Sequence, residues 1–153
     1  MLIRWFCLTY LLFTCHYIFP NTLNAQNNFP FLPGERLEYK LSWGLIPVGS
    51  AVMEIMARDT TSNDSWQIRF SVKTNSFADK FYKVRTSVTS WVDNNFTHSL
   101  RYVKSQHEGK TRKEIEVNYN YSKNEVIYRE NEKLPRILSL NSRVYDPLAI
   151  AFA

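Results

Sequence analysis

An all-β antiparallel meander is the fold class this sequence predicts, on three observations. Apolar and polar residues alternate with period two over most of the chain beyond residue 36, short polar turns recur at roughly 8 to 12 residue spacing, and no stretch before Tyr145 carries a helical period. An open sheet of seven such strands leaves one large face to cover. Closure on itself, as a sandwich, open barrel or half-barrel, or a helix laid across that face would cover it.

The first element, residues 1–25, reads as a cleavable signal peptide. Arg4 supplies the positive start, Trp5 to Phe19 is an uncharged apolar run through Leu8, Leu11, Leu12, Phe13 and Ile18, and Pro20 and Asn21 break it. That run is shorter than the roughly 20 residues of a spanning helix, so no spanning helix is expected in the mature chain. Ala25 offers the small residue a signal peptidase requires, placing cleavage before Gln26 and leaving residues 26–153 as a single β-rich domain. Phe13 and Thr14 ahead of Cys15 do not suit a lipoprotein signal. The expected destination is the periplasm or outer envelope of a Gram-negative-type bacterium.

The strands follow in order. Leu37, Tyr39, Leu41 and Trp43 share one face of the first, opposite Glu38, Lys40 and Ser42. Gly44 to Gly49, with two glycines and Pro47, predicts a tight reversal, with Trp43 capping one end of the core. A second strand runs from about Ser50 to Asp59 with Ala51, Met53, Ile55 and Ala57 inward, and Thr60 to Asp64 is a polar turn. Trp66, Ile68, Phe70 and Val72 alternate in a third. Phe77 to Tyr82 breaks the alternation as a helical turn or aromatic-bearing loop. Val84 to Val92 is the fourth strand, His98 to Gln106 the fifth, Ile115 to Tyr121 marks the sixth, and Glu125 to Asn131 is a shorter seventh.

Asp146 and Pro147 form a helix start, a capping side chain followed by the position where proline is favoured. The apolar residues Leu148 to Ala153 then predict a C-terminal helix beginning near Asp146, and its expected length implies a C-terminally incomplete domain.

Composition narrows the function classes. Both cysteines, Cys7 and Cys15, leave with the leader, so the exported domain is held by its core without disulfides. Loss of Arg4 lowers the formal net charge of +5 by one, and the remaining charge is dispersed. The densest basic stretch, Lys104 to Lys113, is interrupted by Glu108 and turns at Gly109, which reads as a hairpin and not as a nucleic-acid surface. Aromatic residues make up 15% of the chain, so they either fill a core or line a binding surface.

No catalytic constellation emerges, and an enzyme is not expected. His98 and His107 are an odd number of residues apart, which puts them on opposite faces of a regular strand. No zinc spacing, serine elbow or phosphate loop is present, and Glu114 and Glu116 share a solvated outer face. No cofactor and no metal are expected.

The opening Phe31, Pro33, Gly34, Glu35, Leu37, Tyr39, then Trp43, Gly44, Gly49 and Ala51, directly after a leader, resembles a family of exported bacterial proteins, domain of unknown function 3108. The similarity continues through Val84, Arg85, Trp91, Val92, Asp93, Tyr102, Glu108, Gly109 and Lys110 to Asp146. The resemblance implies an envelope protein with a curved antiparallel sheet, a half-barrel or open barrel like those of periplasmic lipoprotein carriers, and it implies no catalytic residues. The expected function is therefore binding or carriage of a lipid or other apolar small molecule on the concave face, through Leu41, Trp43, Ile55, Trp66, Phe70 and Val88. The alternative is an envelope structural or assembly factor that contacts another envelope protein.

Overall fold

The computed structural model describes residues 29, 31–56 and 65–153. The expected leader, residues 1–25, lies outside the described residues, as do the end of the expected second strand at Ala57 to Asp59 and the polar turn of Thr60 to Asp64.

Eight strands make one antiparallel sheet in strict chain order: β1 Arg36–Trp43, β2 Ile46–Ile55, β3 Ser65–Thr74, β4 Val84–Asp93, β5 Ser99–Glu108, β6 Thr111–Asn120, β7 Glu125–Glu130 and β8 Arg136–Ser139. Neighbours in the chain are neighbours in the sheet, and β1 and β8 remain as two separate edges, so the sheet is not closed into a barrel. Such a meander needs only short turns, and its turn residues match. Gly44 and Gly109 take positive φ in the β1–β2 and β5–β6 hairpins, and Asn124 does so before β7.

Cross-strand register assigns the two faces. Leu37 pairs with Met53, Met53 with Phe70, Phe70 with Val88 and Val88 with Lys104, so these residues share one face. Farther across, the same face carries Tyr102, Val117 and Tyr128, and beside them Tyr119, Val126 and Leu138. The opposite face is polar. There Arg101 and Arg129 flank Glu116 at 2.9 and 3.4 Å, the Arg101 guanidinium stacks over Trp91, and Arg36 pairs with Glu54. The pairing of charges across strands explains how this face stays in solvent, and Glu114 is exposed on it as expected.

Four elements differ from the sequence reading. β2 starts at Ile46, because the reversal needs only Gly44 and Leu45 and the remaining residues already pair with β1. β5 starts at Ser99 because His98 is tied into the preceding turn by Asp93. An eighth strand, Arg136–Ser139, follows Pro135; four residues without alternation give no period to detect. The helix expected from Asp146 is one 3₁₀ turn, Ala149–Ala151. One i to i−4 bond, from Ile150 N–H to the Asp146 carbonyl, is followed by tighter i to i−3 bonds at Ala151 and Phe152. The tighter turn brings the Phe152 ring edge-on to Phe31 at 5.6 Å, a packing contact that overrides helical propensity. Phe77 to Tyr82 does contain a 3₁₀ turn, Ala78–Lys80, in keeping with the broken alternation there.

A bulge near the start of β2 shapes one end of the sheet. Leu41 faces Gly49 while Ser42 faces Pro47, leaving Val48 as the extra residue. Gly49 lies so close to β3 that a Cβ would sit 2.3 Å from the Lys73 carbonyl oxygen and 3.0 Å from the Thr74 Cα. Gly49→Ala therefore forces two backbones apart. It is expected to cost about 1–3 kcal/mol in urea unfolding, and an unchanged midpoint would contradict this packing.

Candidate functional site

The apolar face is covered over part of its area only. At the end of the sheet where β2 stops and β3 starts, Ile55, Trp66, Ile68 and Val92 are buried beneath Phe31, Phe96, Leu148 and Ala149. Phe29, Phe31 and Phe96 surround the Trp66 region as a ring cluster with centroids 5.1 to 5.9 Å apart. The segment before β1 and the segment after β8 thus meet over the same patch. Fully burying side chains of this size is worth about 1.5–3 kcal/mol each, which makes this patch the main apolar core.

What fixes the C-terminal segment there is a carboxylate. Asp146 is 1% exposed, and its Oδ2 accepts hydrogen bonds from Ser90 Oγ at 2.5 Å and Ser99 Oγ at 2.6 Å. Its Oδ1 accepts the Leu148 and Ala149 backbone N–H groups at 2.9 and 3.0 Å, the capping role expected from the sequence. Its own N–H donates back to Ser99 Oγ at 2.8 Å, and the Ser99 N–H donates to the Val144 carbonyl. Ser90 and Ser99 are wholly buried, so the cluster presents no accessible nucleophile. Tyr145 Oη donates to the Phe96 carbonyl and Tyr121 Oη to the Ser99 carbonyl, tying the same segment to the β4–β5 connection.

That connection is itself built around Asp93. Burial works against its charged form, yet the His98 and Thr97 N–H groups and the Thr97 hydroxyl hold its carboxyl below the usual carboxylate range. His98 packs edge-on against Tyr121 at 4.4 Å, whereas His107 lies within β5 opposite Arg85, so the two histidines are apart. Among the described residues no group of three or more His, Cys, Asp or Glu side chains is placed to hold a metal ion, and no helix is long and apolar enough to cross a membrane.

Beyond the covered patch the apolar face continues with little over it. Leu37, Tyr39 and Leu41 on β1 are exposed, and Met53, Phe70, Val72 and Val88 are half-buried. On the other side of the patch, Tyr102, Val117, Tyr119, Val126 and Tyr128 are half-buried and Leu138 is exposed. Burial, reinforced by the negative charge of Asp146, pushes the Tyr119 phenol up to about 12, and the same two causes raise Tyr102. These phenols are therefore neutral donors at the margin of an apolar surface. The far corner of the face turns polar, where Glu130 is held down at about 2 by the Lys133 ammonium and the Tyr128 hydroxyl, with Lys113 at 3.6 Å.

The six residues expected to line a ligand site fall into three places. Ile55 and Trp66 are sealed in the core, and the Trp66 Nε1 donates to the Asn94 carbonyl at 3.1 Å. Phe70 and Val88 are direct cross-strand partners at the border of the core, and Leu41 lies on the same face on the edge strand β1. Trp43, the last residue of β1, lies on the same side of that strand as Leu41; instead of capping the core it projects at the hairpin tip, 81% exposed. There it joins Ile46, Val48, Phe77, Phe81 and Tyr82 around a second apolar groove of about 330 Å³.

A family model described as Protein of unknown function (DUF3108) matches residues 38–153. The chain belongs to this family. The DUF3108 match runs from within β1 to the residues after Asp146, so it includes all of the uncovered face except Leu37, and the carboxylate that closes the core beside it. Comparison with curated proteins and with solved structures yields no match to this chain.

Two features of the DUF3108 fold escaped sequence reasoning. The serines that hold Asp146 were not singled out, although Ser90 interrupts the inward apolar positions Val88 and Val92 of β4, and a polar residue among core positions signals a buried partner. The row of tyrosines Tyr102, Tyr119 and Tyr128 on β5 to β7 is the second; nothing in the sequence brings these three positions together before the strand register is known.

Removal of one member of the Asp146 cluster leaves buried donors unsatisfied. Ser90→Ala is expected to cost about 1–3 kcal/mol, and Asp146→Ala about 3–5 kcal/mol. In the Asp146→Ala background the Ser90→Ala penalty is expected to shrink by about 1 kcal/mol or more. Urea unfolding of the four proteins of this cycle measures it, and strictly additive losses would contradict a shared carboxylate.

Proposed function

We propose that this chain is an exported envelope protein that binds or carries an acyl lipid or similar apolar molecule on the uncovered part of its apolar sheet face. One observation carries the reading. A sheet whose core is already closed by the segments around Phe31 and Asp146 still presents aliphatic and aromatic side chains on both sides of that core, from Leu37 on β1 to Leu138 on β8. Exposed apolar surface of this extent is rare on a protein with nothing to bind, and apolar walls with a few neutral phenols at the margin suit an acyl chain better than a charged metabolite. The signal-peptide pattern of residues 1–25 supports the envelope location.

A second reading, an envelope assembly factor that binds another protein, has its own supporting observation. β1 is exposed along all eight of its residues and β8 along all four, so both sheet edges offer backbone groups for an added strand.

Mass spectrometry of an organic extract of the purified full-length protein separates the two. The lipid reading predicts a co-purifying acyl lipid near equimolar amount, most of it lost in the Tyr39→Asp/Leu41→Asp variant, whose substitutions lie on the exposed edge strand outside the core. Absence of any lipid, together with one stoichiometric protein partner recovered from envelope extract, would favour the second reading and overturn the first.

A further inference from the structure

The two ends of the sheet differ in kind. At one end lie the Asp146 cluster and the chain segments that close the core. At the other lie the β1–β2, β3–β4, β5–β6 and β7–β8 connections, and three of these four present apolar side chains to solvent. Leu45 at the first hairpin is 99% exposed, Phe81 in the second connection 78% and Leu134 in the fourth 89%, with Trp43 beside Leu45. Phe77 and Phe81 stack edge to face at 5.6 Å, and the groove they form with Trp43 and Ile46 has almost no polar lining.

This apolar tip is built to keep its shape. The Asn75 N–H donates to the Val48 carbonyl and the Asn75 side chain to the Pro47 carbonyl, joining the second connection to the first hairpin. The Gly109 N–H donates to the Lys83 carbonyl, joining the third to the second. Gly109 has φ +58, and a Cβ there would press on the Tyr82 ring at 2.6 Å, so the contact is close. Asp79, the acid nearest the aromatic pair, is held below its usual range by hydrogen bonds from Arg85 and Thr74.

Cations outnumber acids at this end of the sheet. Lys80, Lys110 and Arg112 are exposed and form no ion pair among the described residues. Asp79 is paired with Arg85 and Glu130 with Lys133, whereas Glu108, which accepts from the neutral Thr86 hydroxyl, keeps its charge and Glu114 and Glu132 line the same hollow as Arg112. Exposed Trp, Phe and Leu side chains at neighbouring turns, set among an excess of exposed cations, match the interface of an anionic bilayer, where aromatic rings sit at headgroup depth and each nearby cation raises affinity about fivefold.

We propose that the hairpin end of the sheet, through Trp43, Leu45, Phe77, Phe81 and Leu134 with Lys80, Lys110 and Arg112 around them, docks this protein on an anionic phospholipid surface. Docking is independent of what the sheet face holds. Leu45, Phe77, Phe81 and Leu134 project from the turns and Trp43 ends β1, whereas the other apolar residues of the face lie farther along the strands.

Co-sedimentation of the full-length protein with sucrose-loaded vesicles tests it. Vesicles of mixed phosphatidylcholine and phosphatidylglycerol are expected to pellet the protein, and pure phosphatidylcholine to pellet at least tenfold less. Leu45→Ser/Phe81→Ser and, separately, Lys80→Gln/Lys110→Gln/Arg112→Gln are each expected to weaken partitioning about tenfold or more. All these side chains are exposed, so the fold and the lipid recovered by organic extraction are expected to stay as in the unaltered protein. Pelleting that neither variant reduces, equal pelleting by neutral vesicles, or no pelleting at all would overturn the proposal; the last result would assign the tip to a protein partner.

Discussion

The carboxylate of Asp146, buried and held by two serine hydroxyls and two backbone amides, decides which part of the apolar face becomes core. An ionised carboxylate out of water is costly, and its position is tolerated only where donors replace the lost solvent. Ser90 and Ser99 supply two of them from β4 and β5, and the turn at Leu148 and Ala149 supplies the other two. No hydrophobic contact has comparable directionality. Leu148, Ala149 and Phe152 reach Phe31 and Val92 because the residue just before them is fixed at one point on the sheet.

Placing the C-terminal segment there leaves the remaining face without an internal partner among the described residues. A meander has no second layer of its own, and eight strands in one open sheet carry more apolar surface than two short segments can cover. The uncovered part is divided by the core into a β1–β4 wing of Leu37, Tyr39, Leu41 and Phe70 and a β5–β8 wing of Tyr102, Val117, Tyr119 and Leu138. The first wing is aliphatic and aromatic, the second is edged by phenols. Trp43 carries the first wing to the hairpin tip, where it meets Ile46, Val48 and the β3–β4 connection in the second groove.

Much of this was legible in the sequence. Alternation in Leu37 to Trp43, Trp66 to Val72 and Val84 to Val92 states which residues share a face, since period two leaves only two faces to choose from. The capping role of Asp146 was equally readable from Asp-Pro ahead of an apolar run, and so was the family, from the opening Phe31, Pro33, Gly34, Glu35, Leu37, Tyr39, then Trp43, Gly44, Gly49 and Ala51. The misplaced features depend on distant contacts. Alternation cannot tell Trp66, which lies under Phe31, from Leu41, which is exposed on the edge strand, because both are inward positions of their strands. Propensity cannot foresee that Phe152 packs on Phe31 and shortens a helix to one 3₁₀ turn. A bulge at Val48 breaks the period of β2 by a single residue, and alternation gives no warning of it.

The account's central claim is that Asp146 closes one patch of the apolar face and leaves the rest for an apolar ligand. Titration of isotope-labelled protein with a doxyl-labelled fatty acid, followed through backbone amide resonances, tests it most directly. Paramagnetic broadening is predicted at Tyr39, Leu41, Val117 and Tyr119, with Ile68 and Val92 remaining sharp under the Asp146 segment. Uniform broadening, no broadening, or broadening confined to the turn at Trp43 to Ile46 would contradict it.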